Sequence, residues 1–588
     1  VRIDEDGNRE EFWGYGGDWI DPDRNDDAFC GDGMVFADRT PSPKMDEAKK
    51  VHQQVNFYAD DLNVAPGGTI DIRVVNEYEN TDLSAFDIEW TLTEDSLTQL
   101  ANGTLELSTP HMYGQSLDRE NVETVTLDIP DDFQPKEGSD YLLTFTVKST
   151  EDKPWAGAGY EIAHEQFELS FEEEAPLTLE EPSVPFEDIQ TIGDEMILTG
   201  TTDYGQAFKI TLNTEEGTIV SYELDGDVVM TAGPEQSYYR AQTYNDTTVS
   251  WIAELKDAGA YENMSNVSVS VTESEDGTKV LMAMSGNLAV DASGLMGYNI
   301  YGNGEIVVLD QFIPASNFAP SGLPKVGSRM EIAEEYDNLT YYGRGPQETY
   351  VDRNSGAMVG VYTEKVYDYQ DPMGEDSNWV AKKMIRPQEN GNHTGVRWTS
   401  LTNDEGTGLL VSAQGEIEMS ALHYTAEEMN SGSYNSPSNR HIIDVPHRPE
   451  IVWSIDLHQH GTSDTAFMGH RPLDGYRFAT DQSYSYAYRI SPIKTDDAAE
   501  LMEKSNESFS VPSSSYPITG ISINGNAVSN FDVNSTDGAS YSMTADESVT
   551  EESVTVEGTT DFDVSFNEDG TITVSAQNNY GQTFAYDI

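Results

Sequence analysis

Residues with chemical potential concentrate in two stretches of this chain. Residues 341–348 set Tyr341, Tyr342, Arg344, Gln347 and Glu348 among Gly343, Gly345 and Pro346; residues 386–392 set Arg386, Gln388, Glu389, Asn390 and Asn392 around Pro387 and Gly391. Aromatic faces, guanidinium forks and amides suit a saccharide, which offers apolar ring faces and pairs of hydroxyls. The same groups also build buried polar networks that fix loops, and residue type alone leaves both readings open.

Other chemistries fail on spacing. Asp21, Asp23, Asn25 and Asp27 alternate like a calcium loop, but its sixth position is Asp26 where a sharp turn needs Gly, and its twelfth is Asp32 where a bidentate Glu is required. His164-Glu165 opens like a zinc-protease helix without the second His, in a segment with strand-like alternation. Neither a phosphate-cradling Gly-Lys-Ser loop nor a Gly-x-Ser-x-Gly elbow occurs. With 105 Asp and Glu, no carboxylate pair is marked for acid and base work by spacing alone.

The elements that must position these residues are strands. Period-two runs such as Ile70-Asp71-Ile72-Arg73-Val74 and Leu143-Thr144-Phe145-Thr146-Val147 predict an antiparallel sandwich over residues 56–173. The acidic, proline-bearing stretch 172–185 reads as a linker. Residues 187–494 continue strand-rich and exceed an ordinary sandwich, so one large many-stranded unit is expected. A short helix over 496–504 and a Ser/Pro segment precede a last module, 514–588, with strands at 562–566 and 572–574 around Asp569-Gly570. Residues 1–55 differ: a Gly- and aromatic-rich loop leads to a helix with Ser42 at its N-cap, Pro43 at its first position, and Met45, Ala48, Val51 and Val55 near one face.

At 588 residues the chain should hold about four domains. Lys and Arg number 32 against those 105 acids, a formal charge of −73 that repels nucleic acid and anionic membranes and suits a salty medium or an exposed surface. The single Cys30 excludes an intrachain disulfide framework and a thiolate-rich metal site. No apolar run has membrane-spanning length. Val1 opens directly into the turn-like Asp4-Glu5-Asp6-Gly7-Asn8 without a leader, so a chain cut at its front is expected.

Tyr15, Asp18 and the run from Asn25 through Phe29, Asp32, Phe36 and Asp38 to Pro41 resemble the end of the catalytic barrel in beta-galactosidases of glycoside hydrolase family 2. Residues 341–353, 386–398 and 424–428 resemble stretches of that family's large β domain, and the match runs in order over about 1–492. The resemblance implies a mainly β chain: a (β/α)8, or TIM, barrel remnant (1–55), an immunoglobulin-like sandwich (56–173), a small-chain β-supersandwich like galactose mutarotase (187–494), and a small Ig-like surface module (514–588). It implies retaining hydrolysis of terminal β-galactosides by two Glu residues about 5 Å apart. Those carboxylates, and the magnesium ligands beside them, are expected on barrel strands upstream, so no catalytic residue is assigned in this chain.

By the same resemblance the backbone carbonyl of Phe29 and the side chain of Asp32 hold a sodium ion that touches the galactose 6-hydroxyl. The family's pattern has Asn where this chain has Asp32, and the added charge strengthens cation binding or alters its preference. Phe467 takes the place of a Trp that stacks on the aglycone, keeping a π-face while losing area and the indole donor. The expected partners are a β-galactoside, the missing N-terminal catalytic portion and further copies in a homo-oligomer. The end module favours an extracellular or cell-surface setting over the cytoplasm. The alternative is a stand-alone carbohydrate-binding or adhesion protein.

Overall fold

A computed structural model describes residues 2–3, 9–15, 18, 33–111, 121–136, 138–171, 181–243, 245–246, 255, 259–260, 264–289, 291–314, 322–375, 377–430, 441–463, 472–480, 482–509, 520–528, 549–550, 553–557, 562–567, 571–577 and 583–588. The calcium-like run 21–32 lies outside these residues. The chain is mainly β, and none of its described helices is long and apolar enough to cross a membrane.

Arg2–Ile3 pairs antiparallel with Arg9–Glu10. Helix α1 (Pro43–Val51) has Ser42 at its N-cap and Pro43 in its first turn, but the Ser42 hydroxyl donates to the Met34 carbonyl at 2.9 Å instead of capping. The expected apolar face is absent: Met45 is 37% and Val51 63% exposed, and no helix residue is buried. Charge docks α1 in its place. Lys49 pairs with Glu161 and Lys50 with Glu165, each at 2.8 Å, while the Glu47 carboxylate accepts from the Gly356 N–H at 2.8 Å.

Two sheets form the sandwich. Val55–Ala59, Thr69–Asn76 and Val122–Asp128 make one; Asn63–Val64, Phe86–Glu94, Thr98–Leu105, Tyr141–Ser149 and Glu161–Phe171 make the other. Alternation does the sorting: Ile70, Ile72 and Val74 point inward from Thr69–Asn76. Phe57 stacks on Phe145 across the layers at 4.7 Å.

The large unit is a 16-stranded sheet, counted over the described residues, running from Asp188–Ile192 to Tyr484–Lys494. Hairpin runs at its two ends meet through Lys325–Ile332, Ile451–Gln459, Thr407–Leu422 and Tyr484–Lys494. Phe208 and Tyr222 from near one end of that strand order, Trp453 and Tyr488 from its middle, and Met282 and Tyr298 from near the other end share one core, so the sheet folds over itself as a supersandwich. Ile306–Pro314 is buried at all but its last residue, because both faces of this strand are covered.

Sandwich and supersandwich are fastened to each other. Arg397 Nε lies 2.7 Å from Asp140 and Nη2 3.1 Å from Glu168. The Gln166 amide donates to the Val359 carbonyl at 3.1 Å and accepts from its N–H at 2.8 Å. Leu142 joins Tyr342, Trp398 and Leu410 in an apolar cluster that also takes Leu501 and Met502 of helix α2 (Ala498–Ser505), which Asp497 caps. Beyond it, Gly520–Ile523, Val554–Glu557 and Ile572–Gln577 build a small core that touches Ile313 of the large sheet.

Candidate functional site

A cavity of about 350 Å³ opens where residues 33–44 meet the supersandwich. Gly33, Phe36 and the first turn of α1 (Ser42, Pro43, Lys44) line one side. Opposite stand Glu348, Tyr350 and Arg353 from the turn after Asn338–Gly345, the segment from Lys383 to Glu389, Asn245, and Thr462 beyond the strand Ile451–Gln459.

Both stretches singled out in the sequence reach this cavity, and one carboxylate ties them together. Glu348 Oε1 accepts from Arg353 Nη2 at 2.9 Å and Oε2 from the Gly391 N–H at 2.7 Å. The Arg353 guanidinium lies 5.3 Å from the Tyr350 ring centre, and the Tyr350 hydroxyl donates to Glu389 Oε1 at 3.4 Å. Other members turned into the fold: Tyr341 and Tyr342 are buried, and Asn392 donates to Glu418 at 2.8 Å. The buried-network reading thus holds for Tyr341, Tyr342 and Asn392, while Glu348, Arg386, Gln388 and Glu389 line the cavity.

Behind the cavity lies a polar layer that sequence reasoning missed. Arg240, wholly buried, holds both oxygens of Asp246 at 3.1 Å and donates to the carbonyls of His460 and Gly461. Lys325 Nζ pairs with Asp456 at 2.9 Å. Gln459 donates to Asn392 at 3.1 Å and to Asp456 at 3.3 Å. The partners sit 131 residues apart in Lys325–Asp456 and 220 in Arg240–His460, so only the folded sheet unites them. The available signal was a cation beside the aromatic pair Tyr238-Tyr239 in an acid-rich chain.

Burial governs the electrostatics. It pushes the Glu389 carboxyl up to about 7, against the pull of Arg240 and Lys325, and that of Asp456 up to about 6. Glu389 is only half-covered because it lines the cavity, yet protein surrounds it closely enough for desolvation to dominate. Near neutral pH the cavity thus offers an acceptor that can also donate, beside fixed cations and amides, and this chemistry suits hydroxyl pairs.

Phe29, Asp32 and Phe467 lie outside the described residues. Gly33 and Thr462, their nearest described neighbours on this cavity, belong to its wall. Among the described residues no group of three or more His, Cys, Asp or Glu could hold a metal ion.

Three family models match the chain in order. "Glycosyl hydrolases family 2, TIM barrel domain" covers residues 2–57, "Beta-galactosidase, domain 4" covers 72–170, and "Beta galactosidase small chain" covers 204–490. A beta-galactosidase of Priestia megaterium is 29% identical over 500 residues, 83% of this chain and 43% of its own length. One of Streptococcus thermophilus is 26% identical over 511 residues, again 83% and 43%. The chain thus spans less than half the length of these relatives. A solved galactose 1-epimerase from Lactobacillus acidophilus matches 53% of the chain and 98% of its own length at 8% identity and a TM-score of 0.29.

Proposed function

This chain is a relative of the C-terminal portion of family 2 beta-galactosidases, and from that premise we propose that it forms one wall of a galactoside cleft without supplying the bond-breaking carboxylates. The observation that carries the reading is the meeting of a barrel-matched segment's edge with loops of the small-chain unit around one polar cavity. Retaining hydrolysis of a β-galactoside needs an acid/base and a nucleophile about 5 Å apart, the latter free to bond the sugar. Glu348 and Glu389 both face the cavity, but both oxygens of Glu348 are engaged by Arg353 and Gly391. That engagement makes Glu348 a fixed acceptor and loop tie, and leaves Glu389 without a nucleophilic partner. The reaction's carboxylate pair and magnesium belong, in this reading, to the part of the relatives' length that this chain does not span.

Phe29 and Asp32 are proposed as the sodium position and Phe467 as the aglycone platform. A hard monovalent cation accepts a carbonyl and a carboxylate readily. The chain's own groups hold and orient the sugar: Phe36 offers a ring face, Arg353 and Asn245 donors, Glu389 a hydroxyl acceptor. The test is hydrolysis of a chromogenic β-galactoside by the isolated chain. No turnover is expected, and turnover without an added partner would overturn the proposal.

A further inference from the structure

The sandwich carries an aromatic pair that neither the core nor the cavity uses. Trp155 is 67% exposed and Tyr160 46% exposed, with ring centres 5.6 Å apart and planes at 89°. Trp155 sits in a tight turn closed by reciprocal backbone hydrogen bonds, Lys153 N–H to Ala156 carbonyl at 2.7 Å and Ala156 N–H to Lys153 carbonyl at 3.3 Å. The Ala158 N–H donates to Asp152 at 2.9 Å and the Gly159 N–H to the Ser149 carbonyl at 2.7 Å, so the whole loop is pinned. Lys49 of α1 lies 5.2 Å from the Tyr160 ring centre and pairs with Glu161. Two large rings therefore stand open to solvent on a fixed loop backbone, which lowers the entropy cost of stacking a ligand on them.

We infer that Trp155 and Tyr160 form an outlying saccharide platform that stacks a pyranose ring of a neutral β-galactoside chain extending from the cleft. The class of sugar rests on the function proposed above; the platform rests on its own geometry. An anionic partner would meet a molecule of net charge −73, whereas an uncharged sugar ring incurs no such repulsion. Two exposed side chains also fall far short of the roughly 800 Å² per partner that a stable protein interface needs, but match one sugar ring. Asp152 and Lys153, both exposed at the rim, can reach hydroxyls. Position agrees as well. The first turn of α1 lines the cavity, and Lys49, six residues after Pro43 and hence about 9 Å along the axis, contacts Tyr160.

Affinity electrophoresis of the chain through a native gel containing soluble β-1,4-galactan reads this directly. The unaltered chain should be retarded, and Trp155→Ala should raise the apparent dissociation constant about tenfold, equivalent to about 1.4 kcal/mol, with Trp155→Phe in between. Because Trp155 is mostly in solvent, the Ala variant should melt with the unaltered chain. Failure of galactan to retard the unaltered chain overturns the inference. So does retardation abolished by Asn245→Ala in the cavity but untouched by Trp155→Ala, a result that would leave the cleft reading standing.

Discussion

Asp310 is enclosed by the supersandwich with Gln236 Nε2 at 2.7 Å, and burial pushes its carboxyl up to about 8. The folded chain therefore keeps a proton that an unfolded carboxyl releases near pH 3.9. Between those values stability must fall as pH rises, and the contribution is gone once pH passes about 8. Glu389 and Asp456, raised to about 7 and about 6, act in the same direction over lower windows. Asp310→Asn should flatten the upper part of the profile, so that urea midpoints at about pH 6 and about pH 8.5 lie closer than in the unaltered chain. An unchanged slope would show that Asp310 is ionised in the fold. Residues of this kind were illegible in sequence, since a buried aspartate among 105 acids carries no mark until its partners arrive from other strands. The loop residues Glu348, Glu389 and Arg386 were legible because Gly and Pro around them announced an irregular segment whose polar groups needed a purpose.

Elements divide along a different boundary. Strands could be read wherever one face meets solvent, as in Thr69–Asn76, and less well where both faces are covered, as in Ile306–Pro314, because alternation then disappears. Helix α1 was located correctly by Ser42 and Pro43, but its expected apolar face was not found. Lys49, Lys50 and Glu47 hold it by charge, and no periodicity of apolar residues encodes that. The close fit is measurable: a Cβ on Gly356 would lie 2.6 Å from the Asp46 carbonyl oxygen and 2.8 Å from the Glu47 nitrogen, both backbone atoms. Gly356→Ala should therefore push α1 off the supersandwich and cost about 1–3 kcal/mol, read as a lowered denaturation midpoint. A variant as stable as the unaltered chain would mean that α1 is not seated there.

Charge is the property of the whole molecule. At −73, self-repulsion opposes the compact state, and the screening length shrinks from about 30 Å at 0.01 M salt to about 3 Å at 1 M. The thermal midpoint should accordingly climb as sodium chloride is raised over that range; a flat or falling trend would show that internal pairs such as Arg397 with Asp140 outweigh the surface. The order of matched regions, barrel end, sandwich and small-chain unit, agrees with the resemblance legible in the motifs, because long loop signatures survive where single catalytic positions cannot be picked out. For the chemistry, the deciding point is where the bond-breaking carboxylates lie. A slow fluorinated galactoside that traps the covalent galactosyl-enzyme, combined with peptide mapping of the full polypeptide its gene encodes, addresses that point without relying on rates. The label should fall on a glutamate in barrel sequence outside residues 1–588; a label on Glu348, Glu389 or any other carboxylate of this chain would contradict the proposed function.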